Sequence, residues 1–259
     1  MSADNPLNNS ETQPIMGDSD LGLGQNIHSQ PKIADYASYG NESGYIFHKI
    51  LREHGSPEEH IKSYKKGQAI FTEGQHANGL FCILDGKVKI SKSSGQTRDQ
   101  IVRLAKSRDV IGYRALIANE VYHASAIALE NTKVGYVPKQ TFFQILNNHP
   151  DIVMGMMKLL SKDLESAENK LVDIATKSDK IRLAEVLLLL KETYGLKADN
   201  LTINVNLTRI ELAAIVGTAP EVVIRQLAKF KKEGLLKTKA RSIFLLNIPK
   251  LVELANLQD

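Results

Sequence analysis

The chain has 259 residues, 42% of them hydrophobic, with 7 Phe, 8 Tyr and no Trp, so there is length for more than one domain and the cores must be mainly aliphatic. Its single cysteine, Cys82, excludes an internal disulfide framework, a four-cysteine zinc site and an iron-sulfur cluster held by the cysteines of one chain, as suits a reducing cytoplasm. No apolar run approaches the ~20 residues of a membrane span and no basic region leads into an apolar one at the N-terminus, so neither insertion nor export is expected.

The net charge of +4 is unevenly spread. Residues 1–43 sum to −5, with Lys32 the one base, whereas residues 209–250 sum to +6. Residues 1–44 are rich in Asn, Ser, Gly and Gln without a period of 2 or 3.6, and read as a disordered or weakly ordered tail. Ile46, Phe47, Ile50 and Leu51 then stand at helical spacing, ahead of a break at Gly55-Ser56-Pro57.

Between Tyr64 and Val137, short apolar runs alternate with glycine turns at roughly ten-residue spacing, the signature of an antiparallel sandwich or barrel. Asp85-Gly86, between two such runs, predicts a two-residue hairpin. Residues 45–150 are accordingly assigned to a barrel domain.

Past Pro150 comes a long helix. Val153, Met157, Leu160, Leu164, Ala167, Leu171 and Ile174 follow one another at alternating steps of four and three, a narrow seam that favours a partner helix, most simply from a second copy of the chain. The alternative is packing on the helix's own domain. This helix takes residues 151–178, and residues 179–259 form a small basic helical module.

Within that module, Thr208-x-x-Glu211 and Thr218-x-x-Glu221 each have the form of a capping box, and Gly217 suits the left-handed end of the first helix. Ala213 supplies a small side chain where two helices would cross. This is helix-turn-helix spacing. Entered by its N-terminal end, the second helix presents Glu221 and Arg225 on one face, able to accept from cytosine N4 and to donate to guanine O6 and N7, with Ile224 placed for a thymine methyl. Pro220 sits at the outer end of that face. Arg209, Thr218, Lys229, Lys231 and Lys232, with Lys237, Lys239 and Arg241 bridging two terminal strands (Leu235-Leu236 and Ile243 to Leu246), are suited to phosphates. An ordinary solvated Glu221–Arg225 pair is the plainer alternative.

Residues 45–255 resemble the cyclic-AMP receptor and fumarate-nitrate regulator superfamily of bacterial transcription factors. The resemblance rests on Lys66 to Gly74, on Leu80 to Ile90, on Gly112, and on Leu212-Ala213 through Gly217, Glu221 and Arg225 to Glu233-Gly234-Leu235. It implies an α+β protein: a cupin-like antiparallel sensor β-barrel of the cyclic-nucleotide-binding type, a long dimerisation helix and a C-terminal winged helix-turn-helix. It further implies a cytoplasmic homodimer bound to a palindromic operator in double-stranded DNA, with RNA polymerase as a further candidate partner and with no catalysis.

The departures concern the effector. Family members that bind cyclic nucleotides use a Gly-Glu-Leu turn and an Arg-Ser pair; here Gly112-Tyr113-Arg114-Ala115 and Tyr122-His123 stand in those places, so both charged anchors are missing. That speaks against cyclic AMP and leaves the effector unidentified, with Arg114 and His123 the available cations. The N-terminal segment lacks the cysteines of the cluster-bearing oxygen sensors. No cofactor or metal is expected, and Cys82 reads as a buried small hydrophobe. A cyclic-nucleotide- or haem-responsive regulator of the same fold and a cupin-type metalloenzyme are the alternatives; the last would need a His-x-His ligand pattern that is absent. Pro220 also replaces a base-reading arginine of the cyclic-AMP receptor, so the outer position of the half-site should differ.

Overall fold

The structure, a computed structural model, describes residues 39–54, 60–95 and 99–255. Most of the expected tail therefore lies outside the described residues, but its last six residues do not: helix α1 spans Tyr39–His54. That extension has no periodic signal because it is held by polar contacts. Ser43 is fully buried and its Oγ accepts the Val110 amide at 2.9 Å, while Glu42 pairs with Lys162 at 2.7 Å.

Eight strands follow: β1 (Ile61–Tyr64), β2 (Ala69–Phe71), β3 (Gly79–Asp85), β4 (Lys87–Lys92), β5 (Gln100–Lys106), β6 (Val110–Ile111), β7 (Ser125–Ala128) and β8 (Thr132–Pro138), with the short helix α2 (Tyr113–Ala118) between β6 and β7. They form two antiparallel four-stranded sheets, ordered β1-β8-β3-β6 and β2-β7-β4-β5. Leu80, Ile83, Val88, Ile111 and Leu116 are buried between them.

The Asp85-Gly86 hairpin is not formed. β3 pairs with β8 and β6, and β4 with β5 and β7, so Gly86 is where the chain crosses from one sheet to the other. The crossing needs glycine twice over: φ is +101°, and a Cβ there would lie 2.4 Å from Thr132 Oγ1 and 2.8 Å from Thr132 Cα.

After α3 (Lys139–Asn148), Pro150 at the first turn starts α4 (Pro150–Thr176). One face of α4 enters the barrel core through Ile152, Met156 and Leu159. Gly155 brings it close to α1, since a Cβ there would touch Ile46 at 3.4 Å. The remaining elements are α5 (Asp179–Tyr194), α6 (Arg209–Val216), α7 (Pro220–Lys232), β9 (Leu236–Lys239), β10 (Ser242–Leu245) and α8 (Ile248–Ala255). Their core, built around Leu183, Leu187, Leu212 and Phe230, also takes in Ile101 of β5 and Leu129, with Leu104 of β5 packed against it, so the barrel contributes to it.

Polar contacts reinforce this docking. Thr208 caps α6 in a complete box: its Oγ1 accepts the Glu211 amide at 3.1 Å, and Glu211 Oε2 accepts the Thr208 amide at 2.8 Å. The other oxygen of the same carboxylate meets Lys89 Nζ of β4 at 2.8 Å, 122 residues away in sequence. Gln100 Nε2 donates to the Ala214 carbonyl, and Tyr194 lies under Lys87 Nζ at 5.8 Å from its ring centre. At the joint between α4 and α5, Arg182 donates to the Ile174 and Lys177 carbonyls at 3.1 and 2.9 Å, a cation on the C-terminal carbonyls of α4.

Two outcomes follow from these contacts. Gly86→Ala should cost about 3 kcal/mol in urea unfolding, from left-handed strain plus the clash with Thr132; Gly67→Ala, equally left-handed but with nothing within 4 Å of its Cβ, should cost only about 1 kcal/mol. Equal losses would mean that crowding at the sheet crossing contributes nothing. Burial alone would raise the Glu211 carboxyl, but Lys89 and the Thr208 donors outweigh it and hold it below its ordinary 4.5. A depressed carboxyl contributes stability that is full above the unfolded-chain value and is lost as pH falls through the lower folded one. The stability gap between wild type and Lys89→Met should therefore be widest at neutral pH and narrow by about pH 3. A gap independent of pH would show that the pair carries no net charge interaction.

Candidate nucleic-acid interface and barrel cavity

The first helix of the motif is bounded as its sequence predicts. Gly217 ends α6 at φ +76°, donating its amide to the Ala213 carbonyl at 2.9 Å, and Ala213 is buried where the helices cross. The second helix starts one residue later than the expected Thr218 cap. Its N-cap is Ala219, with no side-chain cap, and Pro220 occupies the first helical position. The physical reason is the proline: it restricts the residue before it to extended backbone, which is where Ala219 sits, and it needs no partner for an amide hydrogen. The Thr218–Glu221 box is therefore not formed, and Glu221 is left to face outward.

Helix α7 sorts its side chains cleanly. Val223, Leu227 and Phe230 are buried against α5 and α6, while Glu221, Ile224, Arg225, Ala228 and Lys229 are exposed at steps of three, one, three and one. That is one continuous stripe of a 3.6-residue helix. Glu221 and Arg225 both lie on it and make no salt bridge with each other. Ile224 is 54% exposed at its centre, an apolar side chain with nothing in its own domain to cover it. Ala228 belongs to the same stripe; a small apolar residue gives no chemical signal, and only its helical phase finds it. Pro220 and Thr218 are half-buried at the N-terminal end. Lys229, Lys231 and Lys232 occupy the last turn, where cations suit the helix dipole.

The first terminal strand is longer than expected, and the second starts one residue earlier. Lys237 and Lys239 lie within β9 rather than in a bridge, paired with Phe244 and Ser242, and the turn shrinks to Ala240-Arg241 with Ala240 at φ +50°. Because strand residues alternate, both lysines share the exposed face while Leu236 enters the core. Arg209 does more than stand at the surface. At the first turn of α6 it is half-buried, and its Nη2 donates to the Ala240 carbonyl at 3.2 Å, tying the hairpin turn to the helix-turn-helix; burial lowers its pKa. The reader is thus a winged module with its wing fastened to the first helix.

The six residues expected at the effector site, Gly112, Tyr113, Arg114, Ala115, Tyr122 and His123, all line one cavity of about 650 Å³ between the barrel and α4. Within it, Tyr113 is buried and its hydroxyl, raised by burial, accepts from Arg103 Nη1 at 2.9 Å and donates to Asp163 of α4. Tyr122 stacks on Phe71 with ring centres 4.1 Å apart and gives its hydroxyl to the Gly79 carbonyl at 2.9 Å. His123 pairs with Glu120 at 2.6 Å, and Arg114 is exposed. Lys92, Arg103 and Lys170 also line the cavity and were not singled out from sequence. Arg103 and Lys170 lie 67 positions apart, so no local spacing marks them as neighbours.

Cys82 is fully buried, which pushes its thiol up to about 12. Among the described residues no three His, Cys, Asp or Glu side chains are grouped to hold a metal ion, and no helix is long and apolar enough to cross a membrane.

The same division of the chain appears in its relatives. Residues 61–149 match the cyclic nucleotide-binding domain and residues 181–254 the Crp-like helix-turn-helix domain. The chain is 26% identical over 199 residues to the fumarate and nitrate reduction regulatory protein of Escherichia coli, covering 76% of this chain and 79% of that one. It is 23% identical over 193 residues to the CRP-like cAMP-activated global transcriptional regulator of Mycobacterium tuberculosis, covering 74% and 86%. In fold it is similar to FixK2 from Bradyrhizobium japonicum, with a TM-score of 0.68 at 22% identity over 77% of this chain and 98% of that one. The two relatives are regulators rather than enzymes, and the barrel, long helix and winged reader follow one another here in the order of the matched domains. The chain belongs to the cyclic-AMP receptor and fumarate-nitrate regulator superfamily of DNA-binding transcription regulators.

Proposed function

We propose that the protein acts as a homodimer that reads an inverted-repeat operator through α7, with the barrel as its sensor. The observation that carries this reading is the α7 stripe. Glu221, Ile224 and Arg225 are exposed together at the N-terminal end of a helix whose other face is locked into a core, flanked by lysines on the wing. An acceptor, a methyl-sized apolar contact and a bidentate donor suit cytosine, thymine and guanine edges respectively. Lys229, Lys237, Lys239 and Arg241 fit the phosphates on either side, with Thr218 at the helix entrance.

Dimerisation is supported by α4. Met157, Leu164 and Leu171 of the seam are 58%, 61% and 69% exposed, although each is a large apolar side chain on a heptad repeat. Only Leu160 of the seam packs partly on the barrel core. A second copy of α4 would cover the rest and set two readers about one DNA turn apart, ~34 Å.

Binding of purified protein to a randomised inverted-repeat DNA pool, followed by fluorescence anisotropy at fixed salt, tests the reader. Arg225→Ala should cost about 1–3 kcal/mol on the selected operator and relax one base pair, whereas Lys239→Ala should weaken all sequences alike and reduce the salt slope by about 1. Equal losses for both variants on every sequence would overturn the assigned face. Leu164→Glu should leave the fold intact by circular dichroism and convert the dimer to monomer in analytical ultracentrifugation. A variant that stays dimeric would place the interface elsewhere.

A further inference from the structure

We infer that Ile224 makes α7 select DNA by the C5-methyl group of a pyrimidine, so that 5-methylcytosine can stand in for thymine at one base pair of each half-site. The inference rests on the α7 reading proposed above and deepens it. The ligand of this side chain is a methyl group in the major groove, whether it belongs to thymine or has been added to cytosine.

The first argument is the layout of the exposed face. Side chains four apart stand one above another on a helix, so the outer surface of α7 divides lengthwise into two rows. Glu221, Arg225 and Lys229 form a charged row, and Pro220, Ile224 and Ala228 form a row with no hydrogen-bonding side chain; Pro220 is half-buried, the other two exposed. The major groove offers donors and acceptors to the first row. To the second it offers the thymine methyl, the one apolar group on the edges of the four unmodified base pairs.

The second argument is the side chain itself. Ile224 is 54% exposed, while its inward neighbours Val223 and Leu227 are buried without its help. Isoleucine is a poorer helix former than Ala, Leu or Lys, so an exposed one gains α7 nothing in stability. What it supplies is shape. A β-branched side chain in a helix is held near one χ1 rotamer, and it therefore presents a fixed apolar surface that a methyl group meets with little further loss of side-chain freedom. Ala228, one turn on, leaves that surface uncovered.

The third argument is position. At a rise of ~1.5 Å per residue, Ile224 lies ~4.5 Å along the axis from Glu221 and ~1.5 Å from Arg225, within about one base-pair step of each. The methyl is thus read beside the base that Arg225 reads. Ile224 has neither donor nor acceptor, so it does not separate the thymine O4 from the 5-methylcytosine N4 by a hydrogen bond; it separates a methylated pyrimidine from an unmethylated one.

The test uses the full-length protein and the palindrome it selects, with affinity followed by fluorescence anisotropy at fixed salt. Thymines are replaced by deoxyuridine one position at a time in both half-sites. At one position, next to the base pair relaxed by Arg225→Ala, this should weaken binding about fourfold per half-site, the equivalent of one buried methyl group. With guanine opposite that position, 5-methylcytosine should bind more tightly than cytosine by a similar factor. Both ratios should fall to about one in Ile224→Ala and persist in Ile224→Val and in Arg225→Ala, whereas a merely structural role for Ile224 would weaken all four bases alike. The inference is overturned if no thymine is sensitive to deoxyuridine, if 5-methylcytosine and cytosine bind equally, or if the ratios survive in an Ile224→Ala protein that is folded by circular dichroism. Should that variant not fold, Ile224→Thr, which keeps the branched shape and exchanges a carbon for a hydroxyl, decides by the same ratios. Selection of a palindrome without methyl discrimination leaves the α7 reading standing, while failure to select any palindrome overturns that reading and this inference with it.

Discussion

Helix α4 presents more apolar surface than the described residues of its own chain cover, and the rest of the architecture is arranged around that fact. Its first turns are anchored, with Ile152, Met156 and Leu159 inside the barrel core. Farther along, apart from Leu160 on the barrel core and Ile174 beside Gly217, what ties it to its own chain is polar and lies on the flanks: Lys162 to Glu42, Asp163 to Tyr113, Lys170 to the Ile101 carbonyl. Leu164 and Leu171 gain nothing from these contacts. At about 25 cal/mol per Å² of apolar surface, a row of such residues is a substantial driving force for association, whereas the flanking bonds each contribute about 1 kcal/mol. Polar groups therefore orient the helix, and the apolar seam is left exposed for the partner proposed above.

Strand β5 plays the corresponding part between barrel and reader. It pairs with β4 in the sheet, yet Ile101 is counted among the buried side chains of the reader core and Gln100 bonds to α6. The direction of α7 is referred to the barrel by this strand, by the Lys89–Glu211 pair and by the joint at Arg182, not by the chain link at Lys177-Ser178 alone. A single carboxylate, that of Glu211, both closes the capping box of α6 and accepts from the barrel. Local helix stability and domain docking are thereby joined in one side chain.

What could be read from sequence follows the range of the interaction. The Thr208–Glu211 box, the Gly217 turn and the α4 seam each depend on residues within a few positions of one another, and they are legible. The Thr218 box failed because a proline two residues on imposes a stronger backbone restriction than a hydroxyl cap offers. The Asp85-Gly86 turn failed for a different reason: a positive φ is required there, as the dipeptide signals, but whether the chain then returns along the same sheet or crosses to the other is decided by β8, nearly 50 residues later. Lys89, Arg103 and Lys170 lay beyond sequence reasoning altogether. Their partners, Glu211, Tyr113 and the Ile101 carbonyl, are brought to them by the fold, and a basic residue on a strand or helix has no local feature that tells a solvated charge from one facing a cavity.

The cavity and the seam share the side chains of Ala167, Leu171 and Ile174, and Ile174 also lies against Gly217 of the helix-turn-helix. A ligand can shift an equilibrium only by its differential affinity for the two states. Two contacts join α4 to its neighbours here: the Lys170–Ile101 bond to β5, and the packing of Ile174 against Gly217. Ile174 belongs to the seam and to the cavity lining at once, so a partner helix covering it, as proposed, would also bound the cavity. In the dimer proposed above, the placement of α4 would bear on the cavity, the seam and α7 together.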